Sequence, residues 1–105
     1  MKRISTHILD TSSGQPGRNV PVKLYQGDRE LGASVTDADG RCQNLLPEGQ
    51  TINPGVYRLV FHVTDLFPDG LYPEVTVSFK VNSEAEHYHI PLLISPFGYT
   101  TYRGS

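Results

Sequence analysis

The chain is predicted to fold as an all-β sandwich, and three observations carry that prediction. Its 105 residues include 10 glycines and 8 prolines, scattered so that no stretch of a dozen residues keeps a helical period without a breaker. The clearest periodicity has a repeat of two. Val75, Val77, Phe79 and Val81 alternate with Glu74, Thr76, Ser78 and Lys80, as in a strand with one buried and one wet face. Similar short runs recur along the chain at the spacing of a sandwich.

In order, strands are predicted over 4–11, 20–25, 29–36, 55–63, 73–82, 88–94 and 99–103. The first sets Ile4 and Ile8 on one face and Ser5, His7 and Leu9 on the other. Residues 12–17 and 37–40 carry the Ser, Asp, Gly and Pro chemistry of turns. Residues 64–69 allow one helical turn, which Pro68 and Gly70 would end. In the penultimate strand Tyr88, Ile90, Leu92 and Ile94 oppose His87, His89 and Leu93. Both histidine sets therefore point away from the core. If the first and penultimate strands share a sheet, His7 and His89 meet on its outer surface, with Tyr99, Thr101, Arg103 and Ser105 as a parity set beside them.

A chain of this length supports one core, so a single domain over 1–105 is expected. The formal net charge is −2 and no run of Lys or Arg is present, which argues against nucleic acid or an anionic membrane surface as partner. Lys2 and Arg3 are not followed by an apolar stretch of signal-peptide length, and no window approaches a membrane span. A cytoplasmic protein is expected. Cys42 has no second thiol to pair with and reads as a small, half-buried residue. The last residues, Tyr102, Arg103, Gly104 and Ser105, follow a strand-like run with two histidines. Termini usually fray, so this pattern implies an ending that is held in place for function.

The segment Ile4-Ser5-Thr6-His7-Ile8-Leu9-Asp10-Thr11, the turn Asp39-Gly40-Arg41, the run Tyr72-Pro73-Glu74-Val75 and the ending 87–105 together resemble the 5-hydroxyisourate hydrolase branch of the transthyretin-like family. The resemblance spans nearly the whole chain, although the stretch between Phe61 and Tyr72 is short for that family. It implies a transthyretin-like (prealbumin-like) β-sandwich of two four-stranded sheets with one short helix. It also implies a homotetramer, a dimer of dimers with active sites in the channel between dimers. The implied reaction belongs to purine catabolism: 5-hydroxyisourate and water give 2-oxo-4-hydroxy-4-carboxy-5-ureidoimidazoline.

Carried over by position, the family's site falls on His7, Arg41, His89 and Ser105 as catalytic residues, with Tyr102, Arg103 and Gly104, together with His7 and Arg41, against the substrate. These types suit the hydrolysis of a cyclic amide. Imidazole titrates near neutrality and can take a proton from water and return it to a leaving nitrogen. A guanidinium stays charged and offers a planar fork to carbonyl oxygens. Ser105 offers a hydroxyl and, as a terminal residue, a carboxylate. His62 and His87 match no site position and read as solvated; Tyr99 reads as packing. No cofactor is implied. His7, His87 and His89 could gather a metal, but hydrolysis does not require one and no acidic or thiolate ligand shares their face, so zinc would be incidental. The other reading is a transthyretin-like small-ligand binding protein without catalysis. A carrier of apolar ligands would line its channel with aliphatic side chains, where this chain brings His, Arg, Tyr and Ser.

Overall fold

The computed structural model describes residues 3–82 and 87–105, which form two facing sheets. The strands are β1 (Arg3–Asp10), β2 (Gln15–Pro16), β3 (Pro21–Gln26), β4 (Arg29–Val35), β5 (Arg41–Cys42), β6 (Gly55–His62), β7 (Glu74–Val81), β8 (His87–Ser95) and β9 (Gly98–Thr101). One sheet has the order β4-β3-β6-β7 and is antiparallel throughout. The other has the order β2-β1-β8-β9, with β5 also paired to β1. Within it β1 and β8 run parallel.

The alternation seen in the sequence becomes the core. Ile4 and Ile8 of β1 and Tyr88, Ile90, Leu92 and Ile94 of β8 face Val22, Leu24, Tyr57, Leu59, Phe61 and Val75 of the opposite sheet, all buried. The loop after β5 adds Leu45, Leu46 and Ile52. The buried Tyr57 holds this loop through its hydroxyl, which donates to the Asn53 carbonyl at 2.7 Å and accepts from the Asn53 N–H at 3.0 Å.

The seven longer strands form where alternation predicts them. Two short ones were not predicted, β2 inside the turn expected at 12–17 and β5 just after the turn expected at 37–40, because two residues are too few to show a period. The short helix implied by the family is reduced to one turn, closed by the Phe67 N–H on the Val63 carbonyl at 3.1 Å. Pro68 cannot extend the ladder and the chain turns again at Gly70, whose N–H donates to the Phe67 carbonyl.

Thr36 closes the junction between β4 and the turn that follows. Its hydroxyl is buried, donates to the Gly17 carbonyl at 2.6 Å and accepts from the Val20 N–H at 2.9 Å. Thr36→Val keeps the shape but leaves both backbone groups without that partner. The expected loss is about 1–3 kcal/mol, read as a lower urea midpoint at unchanged slope; an unchanged midpoint would show that the hydroxyl contributes nothing.

Candidate active site

The parallel pairing of β1 with β8 sets Arg3 against His87, Ser5 against His89 and His7 against Pro91. On its other edge β1 meets β5, which sets His7 against Arg41. Directly paired residues point to the same side, so Arg3, Ser5, His7, Arg41, His87 and His89 share the outer face of this sheet. Thr6, on the opposite face, is buried and donates its hydroxyl to the Ile90 carbonyl at 2.6 Å.

Arg41 owes its position to the turn before it. One oxygen of the Asp37 carboxylate accepts the N–H of Asp39 at 2.9 Å and that of Arg41 at 3.0 Å. The bond from Arg41, with a second from Asp39 and the nearby Arg41 guanidinium, keeps the Asp37 carboxyl below its usual range. Gly40 has φ of +77°, and a Cβ there would lie 2.5 Å from the Ile8 carbonyl oxygen, so glycine is required on two counts. Its own carbonyl accepts the Ile8 N–H at 2.8 Å, tying the turn to β1.

Arg3, Ser5, Arg41, His87, His89 and Ser105 border a polar pocket of about 180 Å³. Within it the Ser5 hydroxyl lies 2.8 Å from Nδ1 of His89 and 2.7 Å from Nε2 of His87. The two rings stand 6.1 Å apart, tilted by 45°. Burial pushes the His89 pKa below the ordinary imidazole value, and Arg41, His87, His7 and Arg3 push it the same way. His89 is therefore neutral at pH 7 and able to accept a proton. His87 is lowered too, by burial first and then by Arg3. Burial raises the Cys42 thiol, which stays protonated and unreactive at the pocket's edge.

The end of the chain comes back along β8. The alignment that sets Leu92 against Thr101 continues to an isolated bridge between His89 and Gly104, whose N–H donates to the His89 carbonyl at 2.8 Å. A Cβ on Gly104 would lie 2.4 Å from Cδ2 of His89 and 3.1 Å from Cγ of Pro91. The backbone of Gly104 thus packs directly against the His89 ring. This register corrects the parity expected for the ending. Tyr99 and Thr101 oppose Ile94 and Leu92, so they fall on the inner face. Arg103 follows them, its guanidinium 4.6 Å over the Tyr88 ring, and Tyr99 meets Tyr72 edge-on at 5.1 Å.

The predicted site residues thus separate into groups. Arg41, His89 and Ser105 border the polar pocket and Gly104 backs it. His7 stands beside it, opposite Arg41, close enough for its charge to act on His89. Tyr102 and Arg103 border a different groove of about 220 Å³ between the sheets, with Val77, Phe79, Tyr88 and Ile90. Arg3, Ser5 and His87, whose side chains also reach the pocket, were not assigned to the site from the sequence. The outward face of Ser5 and His87 was legible in strand parity, but their partners were not, and Arg3 lies one residue before the predicted strand. His62, expected to be solvated, lies on the other sheet with its Nε2 buried and without a partner among the described residues. Among the described residues no three His, Cys, Asp or Glu side chains converge as metal ligands, and no helix is long and apolar enough to cross a membrane.

Comparison with known proteins agrees with this architecture. Residues 4–104 match the profile of the HIUase/Transthyretin family. The chain is 38% identical to 5-hydroxyisourate hydrolase of Pseudomonas aeruginosa, with 100% of this chain and 93% of that protein covered. It superposes on the structure of Klebsiella pneumoniae 5-hydroxyisourate hydrolase with a TM-score of 0.88 and 33% identity, covering 100% of this chain and 94% of that one. Sea bream transthyretin in complex with thyroxine gives a TM-score of 0.86 and 31% identity, covering 97% and 94%. The chain belongs to the HIUase/Transthyretin family.

Proposed function

We propose that this chain is a 5-hydroxyisourate hydrolase of urate catabolism, a single domain over 1–105 working in the cytoplasm as a homotetramer, with no cofactor. The observation that carries the reading is a neutral imidazole, His89, beside the guanidinium of Arg41 in one polar pocket. Relatives named for this activity support the choice of substrate.

In the proposed reaction His89 takes a proton from water as the water oxygen bonds to a ring carbonyl carbon of the substrate. Negative charge gathers on the carbonyl oxygen, where Arg41 stabilises it. The tetrahedral carbon then collapses, the ring C–N bond breaks, and His89 returns the proton to the leaving nitrogen. His7, next to Arg41, supplies a second imidazole on the same face. Ser105 orients the water through its hydroxyl, and Gly104 backs the pocket behind the His89 ring. Arg103 holds the final segment against Tyr88. The pocket lies on the open face of its sheet and is small for an enclosed ligand site, which favours an assembly in which a second copy covers that face. Carriage of an apolar ligand is disfavoured, because Arg41 and His89 would lose hydration without gaining partners.

The test is the rate at which the pure protein removes freshly generated 5-hydroxyisourate, followed by its ultraviolet absorbance. A rate equal to spontaneous decay would overturn the proposal. Arg41→Lys, which keeps the charge but loses the planar fork, is expected to lower kcat/KM about ten- to a hundredfold, the scale of a charge-assisted hydrogen bond. An unchanged kcat/KM would remove Arg41 from the site.

A further inference from the structure

The Ser5 hydroxyl sits between two imidazoles, 2.8 Å from Nδ1 of His89 and 2.7 Å from Nε2 of His87. A hydroxyl has one proton to give, so it donates to one ring and accepts from the other. The two arrangements differ in consequence. If Ser5 donates to His87, Nδ1 of His89 carries the hydrogen and donates to Ser5, leaving a lone pair on Nε2. If Ser5 donates to His89, Nε2 carries the hydrogen and the ring has no base to offer.

We propose that Ser5 and His87 are positioning residues for His89: the serine hydroxyl, donating to His87, locks His89 as its Nδ1–H tautomer with Nε2 free for a water in the pocket. The inference deepens the hydrolase reading and rests on it.

Three observations support the direction. First, Nδ1 of His89 is engaged by Ser5, and Nε2 has no protein partner among the described residues. Second, Arg41 borders the same pocket, and its positive charge favours a lone pair over an N–H on a ring nitrogen that is not already held by Ser5. Third, the arm gives the transferred proton an alternative seat. When Nε2 takes a proton from water, the Nδ1 proton can pass to Ser5 as the Ser5 proton passes to Nε2 of His87. His89 becomes neutral again and His87 becomes the cation. The groups facing His89 are Arg3 and His7 of β1, Arg41 of β5, His87 beside it on β8, and Ser105. All of the titratable side chains among them that act on His89 disfavour its charge, whereas Arg3 alone does so for His87. Cys42, the remaining titratable group at the pocket, stays protonated.

The arm is built into the sheet rather than carried on a loop. Arg3, Ser5 and His7 alternate along β1 while His87 and His89 alternate along β8, and the parallel register brings Ser5 level with His89 and one side-chain step from His87. Ser5 is itself buried, so water does not readily replace its hydroxyl.

Two variants test the inference. In Ser5→Ala the lock is removed, and the tautomers of His89 should mix. In His87→Phe the ring shape stays but the acceptor is lost, so the Ser5 hydroxyl should turn to Nδ1 of His89 and the tautomer should switch to Nε2–H. Both should lower kcat about ten- to a hundredfold, the usual scale for a residue that orients a catalytic group from behind, with KM changed less than about twofold and the acid limb of the pH profile displaced. Ser5→Thr, which keeps the hydroxyl, should recover most of the loss. Nitrogen-15 shifts of His89 report the tautomer without any turnover. Wild-type protein showing Nδ1–H, with the mixture and the switch in the two variants, supports the arm even if the substrate proves to be another cyclic amide. Wild-type protein showing Nε2–H, or folded variants with unchanged His89 shifts, kcat and pH profile, would overturn it. Should Ser5→Ala not fold, His87→Phe alone decides between the same outcomes.

Discussion

Replacing His89 by Asn is expected to reduce kcat by about two to four orders of magnitude, the range of a lost general acid–base group, while the sandwich remains folded. Asn can still offer a polar atom toward Ser5, and His89 lies on the outer face of β8 rather than in the core, so the variant isolates the loss of a titrating nitrogen. The pH dependence follows from the direction of the shift. Burial, then Arg41, His87, His7 and Arg3, hold the His89 pKa below its ordinary 6.5. Acidification should therefore silence the wild-type enzyme only below the usual imidazole range. Stability follows the same sign. Between 6.5 and the lower folded-state value the unfolded chain binds more protons at this residue than the native one, so the contribution of neutral His89 is present above 6.5 and is lost as pH falls through that window. The Asn variant should lack this dependence. Stopped-flow rates and urea midpoints over pH, measured on both proteins, check both statements. Near-normal turnover in a folded variant would exclude His89 as the base.

Gly104→Ala should cost about a hundredfold in kcat/KM, the scale expected when a catalytic group is displaced by about 1 Å. The reason is local. The new Cβ would fall 2.4 Å from Cδ2 of His89 and 3.1 Å from Cγ of Pro91. Pro91 is rigid and buried within the β8 ladder, so the imidazole or the final segment must move. Either movement damages the site, by turning the ring away from Ser5 or by breaking the 2.8 Å bond from the Gly104 N–H to the His89 carbonyl. The core strands lie on the other face and are not touched. Circular dichroism and the thermal midpoint should stay near wild type while activity falls. A variant with full activity would mean that the close packing on His89 has no part in catalysis.

What could be read from the sequence and what could not divide along a simple line. Faces were legible: the strict alternation of 74–81 became β7, and Ser5 with His7, and His87 with His89, were assigned to the outer surface that they occupy. Register was not legible. Sliding β1 by two residues along β8 would put His7, instead of Ser5, level with His89 without changing the face of any side chain, so alternation cannot tell the two arrangements apart. The ending shows the complementary case. Ser95 pairs with Gly98 across a two-residue connection, which sets odd-numbered residues of β8 against even-numbered ones of β9. That puts Tyr99 and Thr101 inward and leaves Gly104 on the face of His89, a relation fixed by loop length rather than by composition. Arg3 and Ser5 were overlooked because a serine and an arginine near a strand end look like any wet face until their neighbours are known.

The parallel union of β1 and β8 also bears on the expected order of folding. Ser5 and His89 are 84 residues apart along the chain, and no local structure forms the contact between them in advance. The β4-β3-β6-β7 sheet, by contrast, is stitched from neighbours in sequence through β3–β4 and β6–β7. Closure entropy rises with the length of the loop, and distant pairings are slow to form. The intervening sheet can thus begin to assemble while the two outer lengths of chain are still apart. Their meeting joins the first strand to the eighth and sets His89 beside the Arg41 that β5 holds on β1, so the site is expected to be completed late. A protein caught before that step would show much of its sheet signal and none of its chemistry.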